Sequence, residues 1–302
     1  MNLFSEKTYI DYQKNYFLES KFKIIEVNLV DKYKNSRFFF TIENRDNMKT
    51  LNNFNNPIYI DDLSLDSTSY LNLIKELKKV CLNEGISSIS FKKKIKQSNL
   101  EDQLNKNKSH VDFIGVESSI NLNDDLNVIF RKFSKGHKSS LKKNYENLKY
   151  ELFDYKNYQK NQIFEMMTFH EKIAGRQTRS KETWKINEKM ILDNKGLLIK
   201  VSENKKLISY TFIFFNKENS IYFSSCTDRN MFKIYKNISH KVIWQAIQYL
   251  KLANCKKFYL GVTKSIYSKS LISDKEKSID LFKSSFGGDK DYFIIINNIE
   301  SI

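Results

Sequence analysis

The residues that staple or punctuate a chain are scarce here: three cysteines, one proline and eight glycines. Cys81, Cys226 and Cys255 are odd in number, far apart and in no C-x-x-C pair. That excludes a disulfide framework or a cysteine zinc site as the basis of the fold. Among the four histidines no two stand at i, i+4, and no carboxylate–histidine cluster accompanies them, so no catalytic metal is expected. No apolar run approaches the roughly 20 residues of a membrane-spanning helix. The start, Met1 to Lys7, lacks the apolar core of a signal peptide. A cytoplasmic, reduced protein is the expectation. Neither a P-loop nor a nucleophile elbow is present, and no cysteine has an evident base partner.

What the chain does have is positive charge and core material. Its formal charge is +16, with 40% hydrophobic and 14% aromatic residues in 302, enough for two domains. Much of the excess can be compositional, because Lys, Asn and Ile are all abundant, so clustering carries more weight than the total. The strongest cluster runs from Phe130 to Lys143 and holds Arg131, Lys132, Lys135, Lys138, Lys142 and Lys143 with no acid among them. Leu126, Phe130, Phe133, Leu141, Tyr145 and Leu148 recur through it at helical spacing. The pattern predicts one amphipathic helix with a buried stripe and a basic face, bent near Gly136. Such a face is either simply solvated or a seat for a polyanion.

Strands are predicted at Ile24–Val30, Arg37–Ile42, Ile58–Ile60, Ile86–Phe91 and Val111–Val116. A helix capped near Ser67 and stopped by Gly85 lies among them. Lys92–His110 is polar and expected as a loop or short helix. Beyond the basic helix, one helix carries Ile163, Met166, His170 and Ile173 and ends at Gly175. Another carries Trp184, Met190 and Ile191 and ends at Gly196. A three-strand meander follows at Leu197–Val201, Leu207–Phe215 and Ile221–Ser225. A helix from Asn237 to Leu252, a strand at Phe258–Gly261, a helix around Ile279–Phe286 and a strand at Tyr292–Ile296 complete the chain. The fold class is α/β (α+β), with mixed, mostly antiparallel sheets flanked by helices.

Four local patterns in this order resemble the FemAB-like branch of the GNAT acyltransferase superfamily, whose known members include peptidoglycan bridge-forming aminoacyltransferases. They are Lys135-Gly136-His137-Lys138-Ser139-Ser140-Leu141-Lys142-Lys143; Ala174-Gly175-Arg176-Gln177-Thr178-Arg179-Ser180 with Trp184; Ser239-His240 leading through Trp244 to Tyr259-Leu260-Gly261; and Phe282-Lys283-Ser284-Ser285-Phe286-Gly287-Gly288. They cover about residues 125 to 298. The resemblance implies two GNAT-like domains with a cleft between them, residues 1–123 as a degenerate copy and 124–302 as the FemAB-like domain. It also implies transfer of an aminoacyl or acyl group to an amine of a cell-envelope precursor or amino sugar. No cofactor is expected to stay bound. The donor is an anionic ester, either aminoacyl-tRNA or acyl-CoA. The long helical hairpin of some bridge-forming members has no counterpart around residues 144–160, and the turn Thr227–Asn237 has no glycine for a pyrophosphate nest. A phosphate-bearing acceptor and a contact with a membrane surface are further partners that it suggests.

The resemblance places Lys283 near the reacting centre, where its charge can hold a developing oxyanion. The ordinary alternative is a surface lysine. His137, among cations, is expected to be neutral and able to act as a base. Arg131, Lys135 and Lys138 are candidates for phosphate contacts. Arg176 and Arg179, on a glycine-led loop, suit phosphate or carboxylate through the guanidinium fork, or else simple helix capping or an internal ion pair. Trp184 can stack on a base or sugar, or sit in the core. Tyr222 and Ser224 are expected on one face of their strand with Tyr210 beside them, and His240 at a helix start as a contact or a cap. His170 is expected in the core. The reading requires the His137 helix and the Lys283 segment to wall one positively charged groove. The competing reading is a non-catalytic nucleic-acid-binding module using Phe130, Phe133 and Tyr145.

Overall fold

The computed structural model describes residues 7–16, 23–31, 34–45, 48–52, 58–59, 67–95, 111–143, 145–264 and 273–297. In chain order the elements are α1 (Lys7–Tyr16), β1 (Lys23–Asp31), β2 (Lys34–Arg45), β3 (Met48–Asn52), β4 (Ile58–Tyr59), α2 (Ser67–Glu84), β5 (Ser88–Ile95) and β6 (Val111–Asn121). Then come α3 (Leu126–Lys132), α4 (Lys135–Lys142), β7 (Leu148–Phe153), α5 (Gln162–Ala174), α6 (Lys181–Leu192), β8 (Gly196–Glu203), β9 (Lys206–Phe215) and β10 (Asn219–Thr227). The last are α7 (Arg229–Ile234), α8 (Ile238–Leu252), β11 (Lys257–Lys264), α9 (Asp274–Ser284) and β12 (Asp289–Asn297).

The chain divides into two compact units. The first comprises Met1–Tyr16, Glu117–Val262 and Ile279–Lys290, and the second Phe17–Val116, Thr263–Ser278 and Asp291–Ile302. The expected boundary at 123/124 lies near the change at Val116/Glu117, but three segments belong to the unit that the boundary does not give them. Pairing explains one of these. The C-terminal strand β12 runs antiparallel to β5 from Tyr292↔Ile95 to Asn297↔Ser90, inside the second unit.

In the second unit β1 and β2 form a long antiparallel pair, β2 pairs β3, and β3 and β4 pair β5 in parallel. Helix α2 buries Leu73, Ile74, Leu77 and Cys81, the i, i+1, i+4, i+8 face, against Phe40, Ile42 and Leu51. Gly85, at φ +60, ends that helix as expected. Lys92–Ile95, expected in a polar loop, instead belong to β5; the rest of that stretch, 96–110, lies outside the described residues.

The first unit has the strand order β6-β11-β10-β9-β8-β7. Its strands are apolar on both sides because the sheet is covered on both faces. Leu197, Ile199, Val201, Ile213 and Phe215 pack with α8, while Leu198, Tyr210, Phe212 and Phe214 pack with α5 and α6. The alternation is the period-two geometry of a strand. Helix α6 ends at Leu192 with Asn194 at φ 56 just beyond it, and Gly196 opens β8 instead of closing the helix. All three cysteines are buried and unpaired. Among the described residues no helix is long and apolar enough to cross a membrane.

The basic stretch is two short helices instead of one. The break is at Phe133–Ser134, not at Gly136, because Ser134 caps α4 by accepting a hydrogen bond from the His137 N–H. Gly136 lies in the first turn that this cap starts. Leu148, expected on the same helix, opens β7.

Candidate active site

The first unit contains a place where two parallel strands part. β10 pairs with β11 at Asn219↔Lys257, Ser220↔Phe258 and Ile221↔Tyr259 and, among the described residues, nowhere beyond. The departure coincides with a bulge on β10. Tyr222 opposes Ile213 and Ser224 opposes Phe212, which leaves Phe223 as the extra residue. A bulge adds twist and re-aims the side chains after it. On the other strand Gly261 takes φ +84, a left-handed conformation that suits glycine.

Lys283 reaches into this parting. Its Nζ donates to the Val262 carbonyl oxygen at 3.3 Å, and a Cβ added to Gly261 would lie 3.2 Å from that nitrogen. Burial lowers the lysine pKa, while Glu117 and Asp280 act in the opposite sense. A half-buried ammonium bonded to a neutral carbonyl retains donors for a second oxygen.

The basic helix pair holds the segment that carries this lysine. The His137 ring is buried, with Nε2 3.0 Å from the carbonyl oxygen of Phe282, the residue before Lys283. The Ser134 N–H donates to the Ser285 carbonyl at 2.9 Å. Phe133 and Phe286 meet edge-to-face at 5.2 Å. The two segments expected to wall one positively charged groove are therefore adjacent, in direct contact at three points. A carbonyl only accepts, so His137 Nε2 carries a proton and serves as a donor. Burial lowers the His137 pKa, partly offset by the bond to Phe282. The geometry gives His137 a positioning contact to the Lys283 segment and leaves Nε2 without a free lone pair for base work. His240 lies edge-to-face on His137 at 4.2 Å; burial and that neighbour hold its pKa down to about 4.

Arg179 belongs to a separate group, on the face of the sheet that packs against α5 and α6. Its Nη2 donates to Ser224 Oγ at 3.0 Å, and its guanidinium lies 4.8 Å over the Trp184 ring and 5.8 Å from that of Tyr16. Among the described residues its Nε and Nη1 are buried with no hydrogen-bond partner, as are Trp184 Nε1 and both polar atoms of Asn187. Trp184 is 0% exposed, so it supports Arg179 from beneath and offers no ring face to a ligand. His170, packed on Trp184, has its pKa lowered to about 4 by burial and then by Arg179 and Arg176. Arg176 is exposed and donates to the neighbouring Gln177 carbonyl at 3.5 Å.

The bulge separates Tyr222 from Ser224, contrary to the expectation that they share a face. Tyr222 packs into the core on the α8 side and bonds to Ser225 and Thr211, whereas Ser224 turns to Arg179. Tyr210 is fully buried on the Ser224 side and donates to Glu165 at 2.6 Å. Arg131 and Lys135 are exposed; Lys138 Nζ donates to the Arg131 carbonyl at 2.7 Å, which ties α4 back to α3. The glycine-free turn folds into α7, where the Asp228 carboxylate accepts from the N–H groups of Asn230 and Met231. An incoming phosphate would have to displace that carboxylate. The parting of β10 and β11 and the left-handed Gly261 could not be anticipated from residue types, because pairing partners decide both.

No family model matches the sequence, and no curated protein matches it. Among solved structures, FemX aligns at a TM-score of 0.64 and 12% identity, over 98% of this chain and 92% of its own. The C-terminal domain of a protein described as a lysylphosphatidylglycerol synthetase, from Agrobacterium fabrum, aligns at 0.50 and 10% identity, over 91% and 85%. A tandem GNAT protein from the clavulanic acid biosynthesis pathway aligns at 0.50 and 6% identity, over 95% and 86%. At these identities the likeness shows the fold alone: the chain shares the architecture of FemX and, more loosely, of the tandem GNAT protein.

Proposed function

We propose that the protein moves an aminoacyl or acyl group from an anionic ester or thioester donor to an amine of a phosphate-bearing cell-envelope precursor or amino sugar. The observation that carries this reading is Lys283 at the parting of β10 and β11, fixed through the His137–Phe282 contact. In the reaction the amine lone pair attacks the donor carbonyl carbon and the carbonyl oxygen takes up negative charge. Collapse expels the ester oxygen or thioester sulfur with the bonding pair, and the amine proton passes to solvent or the leaving group. The Lys283 ammonium is the group placed to hold the oxyanion. Much of the remaining rate enhancement comes from holding two substrates together. Arg179, with two unsatisfied nitrogens, is the cation suited to an anionic group of one substrate.

Packing of the three rings that the competing nucleic-acid module would use, Phe130, Phe133 and Tyr145, favours the transferase reading; half-buried Tyr145 lies edge-on to Tyr235 at 4.8 Å. Phe133 is buried, and half-buried Phe130 packs edge-on against Trp244 at 5.6 Å, which leaves little flat ring surface for a base.

The test is a transfer assay with charged tRNA and acyl-CoA offered separately to an amino-sugar precursor, product being read by mass. Transfer from either donor that is lost in Lys283→Ala supports the reading. Absence of transfer from both donors counts against it.

A further inference from the structure

Helix α7 turns apolar side chains outward in the middle of a basic surface. Phe232 is 42% exposed and Ile234 61%, while their neighbours Met231 and Tyr235 are buried and anchor the helix. Arg229, Lys233 and Lys236 are exposed in the same short stretch. Lys206 Nζ lies 3.7 Å from Met231 Sδ, which sets the β8–β9 turn, with exposed Lys205, beside the helix. Asn237 Nδ2 donates to the carbonyls of Ser140 and Lys143, at 2.7 and 3.1 Å, and so brings the exposed end of α4, Lys142 and Lys143, to the other side. Two of the nearby acids are engaged elsewhere, while Glu146 is exposed beside Lys142 and Lys143 and offsets part of their charge. Asp228 caps α7, and Glu203 accepts from Tyr235 and Asn147.

We infer that α7 docks the protein on an anionic lipid surface. Phe232 and Ile234 enter the headgroup boundary, and the surrounding lysines and Arg229 face lipid phosphates. An aromatic and a branched aliphatic tip ringed by cations is the combination that an interface between water and hydrocarbon rewards on both counts. Nucleic acid would be attracted by the cations, but its backbone offers an isoleucine nothing. The inference is independent of the transferase reading, because it concerns where the molecule sits and not what it does there.

The test is co-sedimentation of the full chain with vesicles of phosphatidylcholine alone and of phosphatidylcholine with about a third phosphatidylglycerol, an anionic fraction chosen to give a surface potential. Binding is expected to the anionic vesicles only, and to fall as salt rises. Phe232→Ser with Ile234→Ser should weaken it about tenfold, as loss of buried apolar area requires. Lys233→Glu with Lys236→Glu should weaken it by more than about tenfold. All four residues are exposed, and an unchanged melting temperature checks that each variant folds. No binding to anionic vesicles, or equal binding to neutral ones, overturns the inference. So does wild-type binding by the Phe232/Ile234 variant, or a preference for single-stranded RNA that this variant leaves intact.

Discussion

The imidazole of His137 and the carbonyl of Phe282 are joined at 3.0 Å, and this bond fixes the backbone one residue before Lys283. It gives Nε2 of a histidine expected to hydrogen-bond or act as a base a donor's role in a contact that aims the lysine. His137→Ala should leave a part-buried carbonyl unpaired, at a cost of about 1–3 kcal/mol. His137→Gln, which can still donate, should recover much of both stability and turnover. A base would not be rescued in this way, so the ratio of the two variants in kcat separates the roles.

Two histidines make stability depend on pH. His170 and His240 are both held down to about 4, mainly by burial, against about 6.5 in the unfolded chain. The unfolded state therefore binds more protons between these values, and stability is lost as pH drops from about 6.5 to about 4. Both rings are only half-buried, so solvent screening cuts the loss to on the order of 1 kcal/mol for each group. Melting temperature followed from pH 7 to pH 4 should drop more in wild type than in His170→Asn.

Gly287 is required by space as well as by conformation. Its φ is +62, and an added Cβ would lie 1.9 Å from the Lys132 carbonyl oxygen. Gly287→Ala should destabilise by about 2 kcal/mol or more, since strain and a backbone clash act together. Denaturant unfolding measures it. Gly85→Ala, where φ is +60 but nothing lies within 4 Å, should cost less.

Arg179 keeps two buried nitrogens unpaired, which lowers its worth to the free protein. Arg179→Met should therefore cost little stability, while KM for an anionic substrate rises about tenfold or more. A large loss of melting temperature with unchanged KM would make Arg179 a structural residue.

The strands and helices that pack by period are legible in the residue pattern alone. Leu197–Val201, Leu207–Phe215 and the α8 stripe of Val242, Ile243, Ala246, Ile247 and Leu250 all lie where their patterns put them. Three elements of the first unit are not legible in that way. Helix α1 is a run of mixed polarity that buries Tyr9 and Tyr12, β7 continues the apolar spacing of the basic helix, and α7 has too few residues for a period to show. Within the site, Lys283 and His137 stand out through a family resemblance. What their types do not give is the partner of each, the Val262 carbonyl and the Phe282 carbonyl. Backbone acceptors leave no mark in a sequence. The bulge at Phe223 is invisible for a similar reason, because nothing in Tyr222-Phe223-Ser224 announces an extra residue in the ladder.

The most direct measurement is single-turnover transfer to an amine acceptor by wild type and Lys283→Ala, with charged tRNA and acyl-CoA as alternative donors. The account predicts an acylated amine from one donor, with a rate constant reduced about a hundredfold or more in the variant and an unchanged melting temperature. Equal rates in the two proteins, or no acylated product from either donor, would contradict it.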